Sequence, residues 1–364
     1  MRISRLNTGL AAAFLGISLL LSGCAQTEES QGAFDASPEA AGKLKVAVTL
    51  FPYYDFVRQI AGDQVDLQMV IPAGMDSHSF EPTPADIRTI QHADVLISNG
   101  GTMEHWLDET LAALDTTSMT IVTMMDYVDT VEEEIVEGME DADHDHDHAH
   151  VHAADDHDHS NETPEEHAAH AHEADDHDYV DHDGHEEEIE YDEHIWTSPV
   201  NAMKLVDVIG DTLAQADPAH ADIYHQGAAS YKKELEEIDA GFREVCANRK
   251  RNMIVMGDKF PFRYLADEYQ LDYRAAFSGC SSDTEPSAKT IAYLIDKVKE
   301  EQIPAVYYLE LSSHRVAEII GEETGAEPLL LHSCHNVTRA QFDAGITYAG
   351  LMRQNIENLR KGID

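Results

Sequence analysis

Positive charge is what this chain has least of. Its 364 residues hold 24 Lys and Arg against 70 Asp and Glu, and neither Lys nor Arg occurs between Arg88 and Lys204. A formal charge of -46 argues against nucleic acid or an anionic membrane surface as partner. It also places the middle of the chain in a field that attracts cations. Long apolar runs are missing after the N-terminus: nothing beyond Leu21 approaches the about 18 residues a membrane span needs. No HExxH zinc-protease helix is present, nor a clear pairing of nucleophile with base, so a zinc-dependent hydrolase is only a distant alternative to a binding protein.

What is present begins with Arg2 and Arg5, an apolar run from Leu10 to Leu21, and Leu21-Ser22-Gly23-Cys24. This reads as an export signal over residues 1–23. The small residues before the cysteine resemble a bacterial lipobox, which implies lipid on Cys24, a flexible tether over 24–43, and an extracytoplasmic protein anchored to the membrane. Three cysteines remain, Cys246, Cys280 and Cys334. Outside the cytosol a disulfide is permitted, and three thiols leave one unpaired.

From Glu132 to Glu193 the chain packs in 13 of its 22 histidines and 27 of its acidic residues. Runs such as His144-Asp145-His146-Asp147-His148 have neither helical nor strand periodicity and too little apolar surface to offset the entropy of ordering. The expectation is a disordered loop over about 132–190. Imidazole beside carboxylate forms many weak, exchangeable sites for zinc-class cations, so His144, His146, His148, His150, His152, His157 and His159 are accessory metal-collecting residues.

On either side the rhythm is strand, helix, strand, with strands expected at Val95–Ser98, Tyr273–Phe277 and Pro328–His332 and helices at Arg263–Tyr269 and Phe342–Lys361 among them, which implies α/β architecture with parallel sheets. The reading is an N-terminal lobe over 44–198 carrying the His-rich loop, linker helices over 199–248, and a C-terminal lobe over 249–364. The stretch from Ala219 to Val245 predicts a spine helix of about 42 Å at 1.5 Å per residue. Such a helix resists hinge bending, so lobe movement should be modest. Ligands in such folds sit beyond the carboxyl ends of the strands, in the cleft between lobes.

Three histidines fall at element ends facing that cleft: His78 after the second strand, His194 after the loop, and His332 at the end of the last strand. Three imidazoles from separate loops supply most of a tetrahedral zinc shell, which a carboxylate, thiolate or water completes, and Glu193 is placed to orient a ligand imidazole from behind. His314 and His335 are set aside as a helix-start and a turn residue. His92, His105, His220 and His225 read as helix-surface residues.

The same segments carry a family resemblance. Pro72-Ala73-Gly74, with His78-Ser79-Phe80-Glu81-Pro82, resembles a motif of the zinc and manganese solute-binding proteins of bacterial ABC transporters. Asp192-Glu193-His194 is similar to that family's tract around its second metal histidine, which follows an acidic His-rich loop in zinc members. The resemblance spans roughly 44–360. It implies a monomer that binds Zn²⁺, with Mn²⁺ less favoured because imidazole-rich coordination suits zinc, and that delivers the ion to an ABC permease. A manganese-binding transport protein and a surface metal-binding adhesin or buffer are the alternatives.

There are two departures. Where zinc members place a third histidine, this chain has Met256-Gly257-Asp258-Lys259-Phe260-Pro261-Phe262. His332 instead stands where the family places a last-strand aspartate. The fourth ligand is left among Cys280, Asp258, Glu285 and water. Cys280 and Cys334 lie on loops the family brings to the cleft, so a disulfide between them, or a thiolate on the metal, is expected.

Overall fold

The computed structural model describes residues 42–139, 190–279 and 285–364, with Phe34, Ser37 and Ala40. Cys24, Cys280 and the loop histidines from His144 to His185 lie outside the described residues.

Four strands form the first sheet: β1 (Leu44–Val48), β2 (Val65–Met69), β3 (Val95–Ser98) and β4 (Thr120–Thr123). Their order is β2-β1-β3-β4 and every pairing is parallel, with Val46 beside Leu67 on one side and Val95 on the other. The crossovers are helical: α1 (Phe51–Ala61), α2 (Pro84–Gln91) and α3 (His105–Ala112). Sequence chemistry marks their starts. Pro52 occupies the first turn of α1. Thr83 and Asp86 form a reciprocal capping box on α2, satisfying amides that the first helical turn leaves without partners.

Two long helices follow, α4 (Pro199–Ala216) and α5 (Ala221–Asn248). The second has 28 residues, so the spine helix expected from the sequence is present. Beyond it come β5 (Met253–Val255), β6 (Lys259–Phe260), α6 (Arg263–Tyr269), β7 (Asp272–Arg274), β8 (Phe277–Ser278), α7 (Ala288–Glu300), β9 (Ala305–Tyr308), α8 (Arg315–Thr324), β10 (Glu327–Leu330), α9 (Arg339–Asp343) and α10 (Tyr348–Ile363). The pairs β5–β7 and β9–β10 are parallel, and a parallel bridge between Met256 and Tyr307 joins them edge to edge. The fold is thus α/β with parallel sheets on both sides of the spine.

Three elements differ from expectation. The last strand, expected to reach His332, stops at Leu330. There the Asn355 side chain takes over the backbone of His332, accepting from its N–H at 2.8 Å and donating to its carbonyl at 2.7 Å. One strand expected over Tyr273 to Phe277 divides into β7 and β8, each with a different partner. The final helix, expected to be continuous from Phe342, breaks at Gly345, whose φ is +71°, and restarts under a Thr347 cap that accepts from the Gly350 N–H at 3.0 Å.

The described residues from Phe34 onward fall in one compact unit. A single large core takes in Val46 and Phe56 of the first half, Tyr224 and Phe242 of the spine, and Leu331, Tyr348 and Leu359 of the second half. A smaller core around Val255, Leu294, Val306 and Ile320 fills the space beneath α7 and α8. Inside the large core sits Asp55, which is 0% exposed. Its carboxylate accepts from Arg58 at 2.5 and 3.1 Å, from Gln59 at 3.1 Å, from the Tyr348 N–H at 2.7 Å and from the Tyr231 hydroxyl at 3.3 Å. One side chain thereby ties α1, α5 and α10 together. Removing it strands buried donors that are costly to leave unpaired. Asp55→Ala should lower stability by about 3 kcal/mol in urea unfolding, and a loss below 1 kcal/mol would mean that the knot is not structural.

Candidate metal centre

His78 sits in the loop that follows β2. Gly74, at φ +90°, closes a turn in which the Met75 N–H donates to the Pro72 carbonyl at 3.1 Å. A positive φ there suits glycine, which has no Cβ to clash. Asp76 then accepts from the His78 N–H at 3.0 Å, and buried Phe80 packs edge-on against Trp106 with centroids 5.0 Å apart. The loop is thus anchored on both sides of the imidazole.

His194 is 1% exposed. Asp192 accepts from its N–H at 2.8 Å and from its Nδ1 at 3.2 Å, leaving Nε2 free. The carboxylate behind this imidazole is therefore Asp192, not Glu193 as expected. Glu193 turns away and accepts from the Met103 N–H at 2.8 Å, the Thr102 hydroxyl at 2.8 Å and the Thr102 N–H, binding the segment to the turn before α3.

The third imidazole in the cleft belongs to His335. Ligand nitrogens of His78, His194 and His335 all lie within 4.8 Å of one another, and the ring centroids are 5.5 to 5.9 Å apart. His332 is not one of the three. Its ring turns inward, 1% exposed, with Nδ1 accepting from the Cys334 N–H at 3.0 Å and lying 3.3 Å from Glu310. The reversal occurs at Cys334, whose φ of +60° sends the chain back so that the next residue projects into the cleft. Two histidines three residues apart were visible in the sequence, but the left-handed residue that selects between them has no sequence signal.

Cys334 is a free thiol, 0% exposed in the core. Its Sγ is directed at the His332 carbonyl at 3.7 Å, so neither the expected disulfide with Cys280 nor a Cys334 thiolate ligand is present. Cys280 itself lies outside the described residues. Asp258 lines the cleft but is committed to backbone amides of Lys259 and Leu309 at 2.9 and 3.4 Å. Glu285 is exposed on the same wall. Among the described residues no Cys, Asp or Glu joins the three histidines in one cluster. His314 stands at the N-terminus of α8 without a side-chain cap hydrogen bond and stacks on Tyr308 at 4.1 Å, while His220 and His225 pair with aspartates on the surface of the helices.

The two halves are stitched directly beneath the cluster. Asn336 donates to the Pro72 and Met75 carbonyls at 2.9 and 2.7 Å. Trp196 Nε1 donates to the Ser333 carbonyl at 2.8 Å, and the Tyr348 hydroxyl to the Trp196 carbonyl at 2.7 Å. The Ser77 hydroxyl shares a hydrogen bond with Nε2 of His335.

Electrostatics prepare two of the rings as neutral donors. Burial, then the neighbouring His194, push the pKa of His78 down to about 4, against the pull of Asp76. Burial and the two neighbouring histidines, with Lys259, hold His335 well below the usual value. Burial also disfavours charge on His194, but Asp192, by charge and by hydrogen bond, outweighs it and raises the pKa. A raised pKa keeps a proton that a metal must displace, and a lowered one does not. Metal affinity should therefore weaken as pH falls from 8 to 5 with a slope of about one proton per ion, and Asp192→Asn should shift that fall to lower pH. A slope near three in pH-dependent metal titrations would contradict these environments.

A cleft between two parallel α/β halves, floored by three converging imidazoles, has the donor set of a metal-binding site. The chain belongs to the family of zinc-uptake complex component A, periplasmic (ZnuA), whose model matches residues 46–362. It is similar to the zinc-binding protein AdcA of Streptococcus pyogenes, at 32% identity over 325 residues, 89% of this chain and 57% of that protein. It is also similar to the high-affinity zinc uptake system protein ZnuA of Bacillus subtilis, at 29% over 354 residues, 97% and 96% of the two chains. This chain thus spans little more than half the length of the AdcA relatives. Among solved structures, the Zn(II)-bound ZnuA-like domain of Streptococcus pneumoniae AdcA superposes with a TM-score of 0.64 at 27% identity, covering 89% of this chain and 100% of that one. The metal-dependent lipoprotein YcdH of Bacillus subtilis gives 0.66 at 26%, covering 88% and 100%.

Proposed function

We propose that this chain is an extracytoplasmic Zn(II)-binding protein that captures the ion at His78, His194 and His335 and delivers it to an ABC permease for uptake. The observation that carries the reading is the convergence of three ligand nitrogens within 4.8 Å in the cleft. Neutral imidazole suits zinc, whereas manganese favours oxygen ligands, and zinc is the metal in the names of the relatives. The relatives are named for zinc binding and zinc uptake, which supports a binding protein and not an enzyme. Lipid on Cys24 would anchor it to the membrane. Among the described residues no helix is long and apolar enough to cross one. The His-rich segment between Met139 and Glu190 collects zinc-class ions through its many imidazoles and carboxylates. Glu132 and Tyr191 form an antiparallel bridge at its base, so the segment can be excised without separating its flanks.

Zinc titration against a competing chelator tests this reading. His78→Ala, His194→Ala and His335→Ala should each lose about 100-fold or more in affinity, the scale of one lost ligand of three, while a chain lacking residues 140–189 keeps one tight site. Loss of tight binding with that deletion, and its survival in the His335 variant, would assign the protein to metal buffering by the loop instead.

The stitched cleft floor and the spine helix predict little rigid-body motion on binding. Small-angle scattering should give radii of gyration for zinc-free and zinc-loaded protein that agree to about 1 Å, against about 21 Å for a folded chain of this length; a contraction of several ångström would show hinge closure.

A further inference from the structure

The cleft is far larger than an ion. It encloses about 380 Å³, room for about a dozen waters at roughly 30 Å³ each and within the range of small-molecule pockets. Its floor is the histidine cluster. Its far wall is built from Gly257, Lys259, Glu310, Ser312 and the start of α8 at Arg315.

Lys259 is the unusual member. It is half-buried at the start of β6, and among the described residues no carboxylate pairs with its ammonium. It lines the same cavity as His78, His194 and His335. A lone cation beside a cation site is unfavourable unless an anion lies between them. The chain's own anions nearby are largely spoken for: Asp258 by two backbone amides, and Glu310 by Ser333 and His332. The first turn of α8 adds to the same corner, because His314 makes no side-chain cap and leaves amides that favour negative charge.

Resting on the zinc reading, we propose that the ion is bound together with a small carboxylate from solution. Three imidazoles hold the metal, one carboxylate oxygen fills the fourth position, and Lys259 holds the remaining negative charge. Carboxylate oxygen is a normal zinc ligand and completes a three-histidine set as tetrahedral. The hydrogen bond from an ammonium to that carboxylate is of the stronger, charge-assisted kind. The cavity fits a hydroxycarboxylate or amino acid of citrate or histidine size, so the cargo is a zinc chelate and not the bare ion.

The test is zinc titration of the full chain at free zinc set by a fluorescent indicator, in a non-coordinating buffer, alone or with citrate, histidine or inorganic phosphate. Citrate or histidine should raise the apparent affinity about tenfold, the scale of one charge-assisted hydrogen bond. Native mass spectrometry should then show one zinc and one carboxylate bound together, with no carboxylate bound in the absence of zinc. Lys259→Met should abolish the gain, Lys259→Arg should keep part of it, and Glu285→Gln should leave it intact; thermal melts check that each variant is folded. Affinity that ignores both carboxylates overturns the proposal, as does a gain that survives in Lys259→Met or that phosphate reproduces in full. If Glu285→Gln alone loses affinity and citrate has no effect, the fourth ligand is Glu285 and the proposal fails. Zinc binding without a carboxylate effect sinks the co-ligand alone, whereas no zinc binding under any condition removes the zinc reading with it.

Discussion

The site depends on a rigid join between two halves of the chain that are distant in sequence. His78 and His194 belong to the first sheet's side and His335 to the second, so their mutual distances are only as fixed as that join. Asp55 supplies much of it. Its buried carboxylate takes the Tyr348 N–H from 293 residues away and the Tyr231 hydroxyl of the spine, while Arg58 beside it donates to the Ile346 carbonyl at 2.6 Å. Closer to the metal centre, Asn336 and Trp196 join the three histidine-bearing loops to one another. A buried carboxylate with every lone pair occupied is costly to disturb, and here it fixes the relative position of elements that no single sheet holds.

That rigidity explains how three imidazoles can face one another with nothing between them. Burial holds two of the rings neutral, the form that offers a lone pair to a metal. Asp192 performs a different task on the third, fixing the tautomer through Nδ1 and leaving Nε2 for the cleft, as ligand histidines are commonly oriented by a carboxylate behind them. Three nitrogen donors suit zinc-class cations better than cations that prefer oxygen. The acidic, lysine-free middle of the chain adds a long-range attraction for cations over the whole region.

Much of the fold was legible in the chain. Hydrophobic patterning placed β3 and α6 at their observed bounds and the spine to within a few residues, because alternating βα units leave few other arrangements. Misjudged boundaries share one cause. The last strand ends early because Asn355, 23 residues later, replaces the ladder with side-chain hydrogen bonds, and the expected strand over Tyr273 to Phe277 divides because β6 offers its second part a different neighbour. Such competition between local pattern and distant partner is invisible to a window of sequence.

That His78 and His194 lie at the cleft was readable from sequence by itself, since each lies in a short loop next to a strand end or an acidic tract. Sequence also determined the class of fold and the preference for a cation. Tertiary structure decided the third donor. His332 and His335 are chemically equivalent and three residues apart, and only the left-handed turn at Cys334, packed into the core by neighbours from both halves, drives one ring inward to Glu310 and the other outward to the metal centre. Tertiary structure also decided that Asp192 and not Glu193 stands behind His194, because the turn before α3 supplies three donors to Glu193 and leaves its neighbour free for the imidazole.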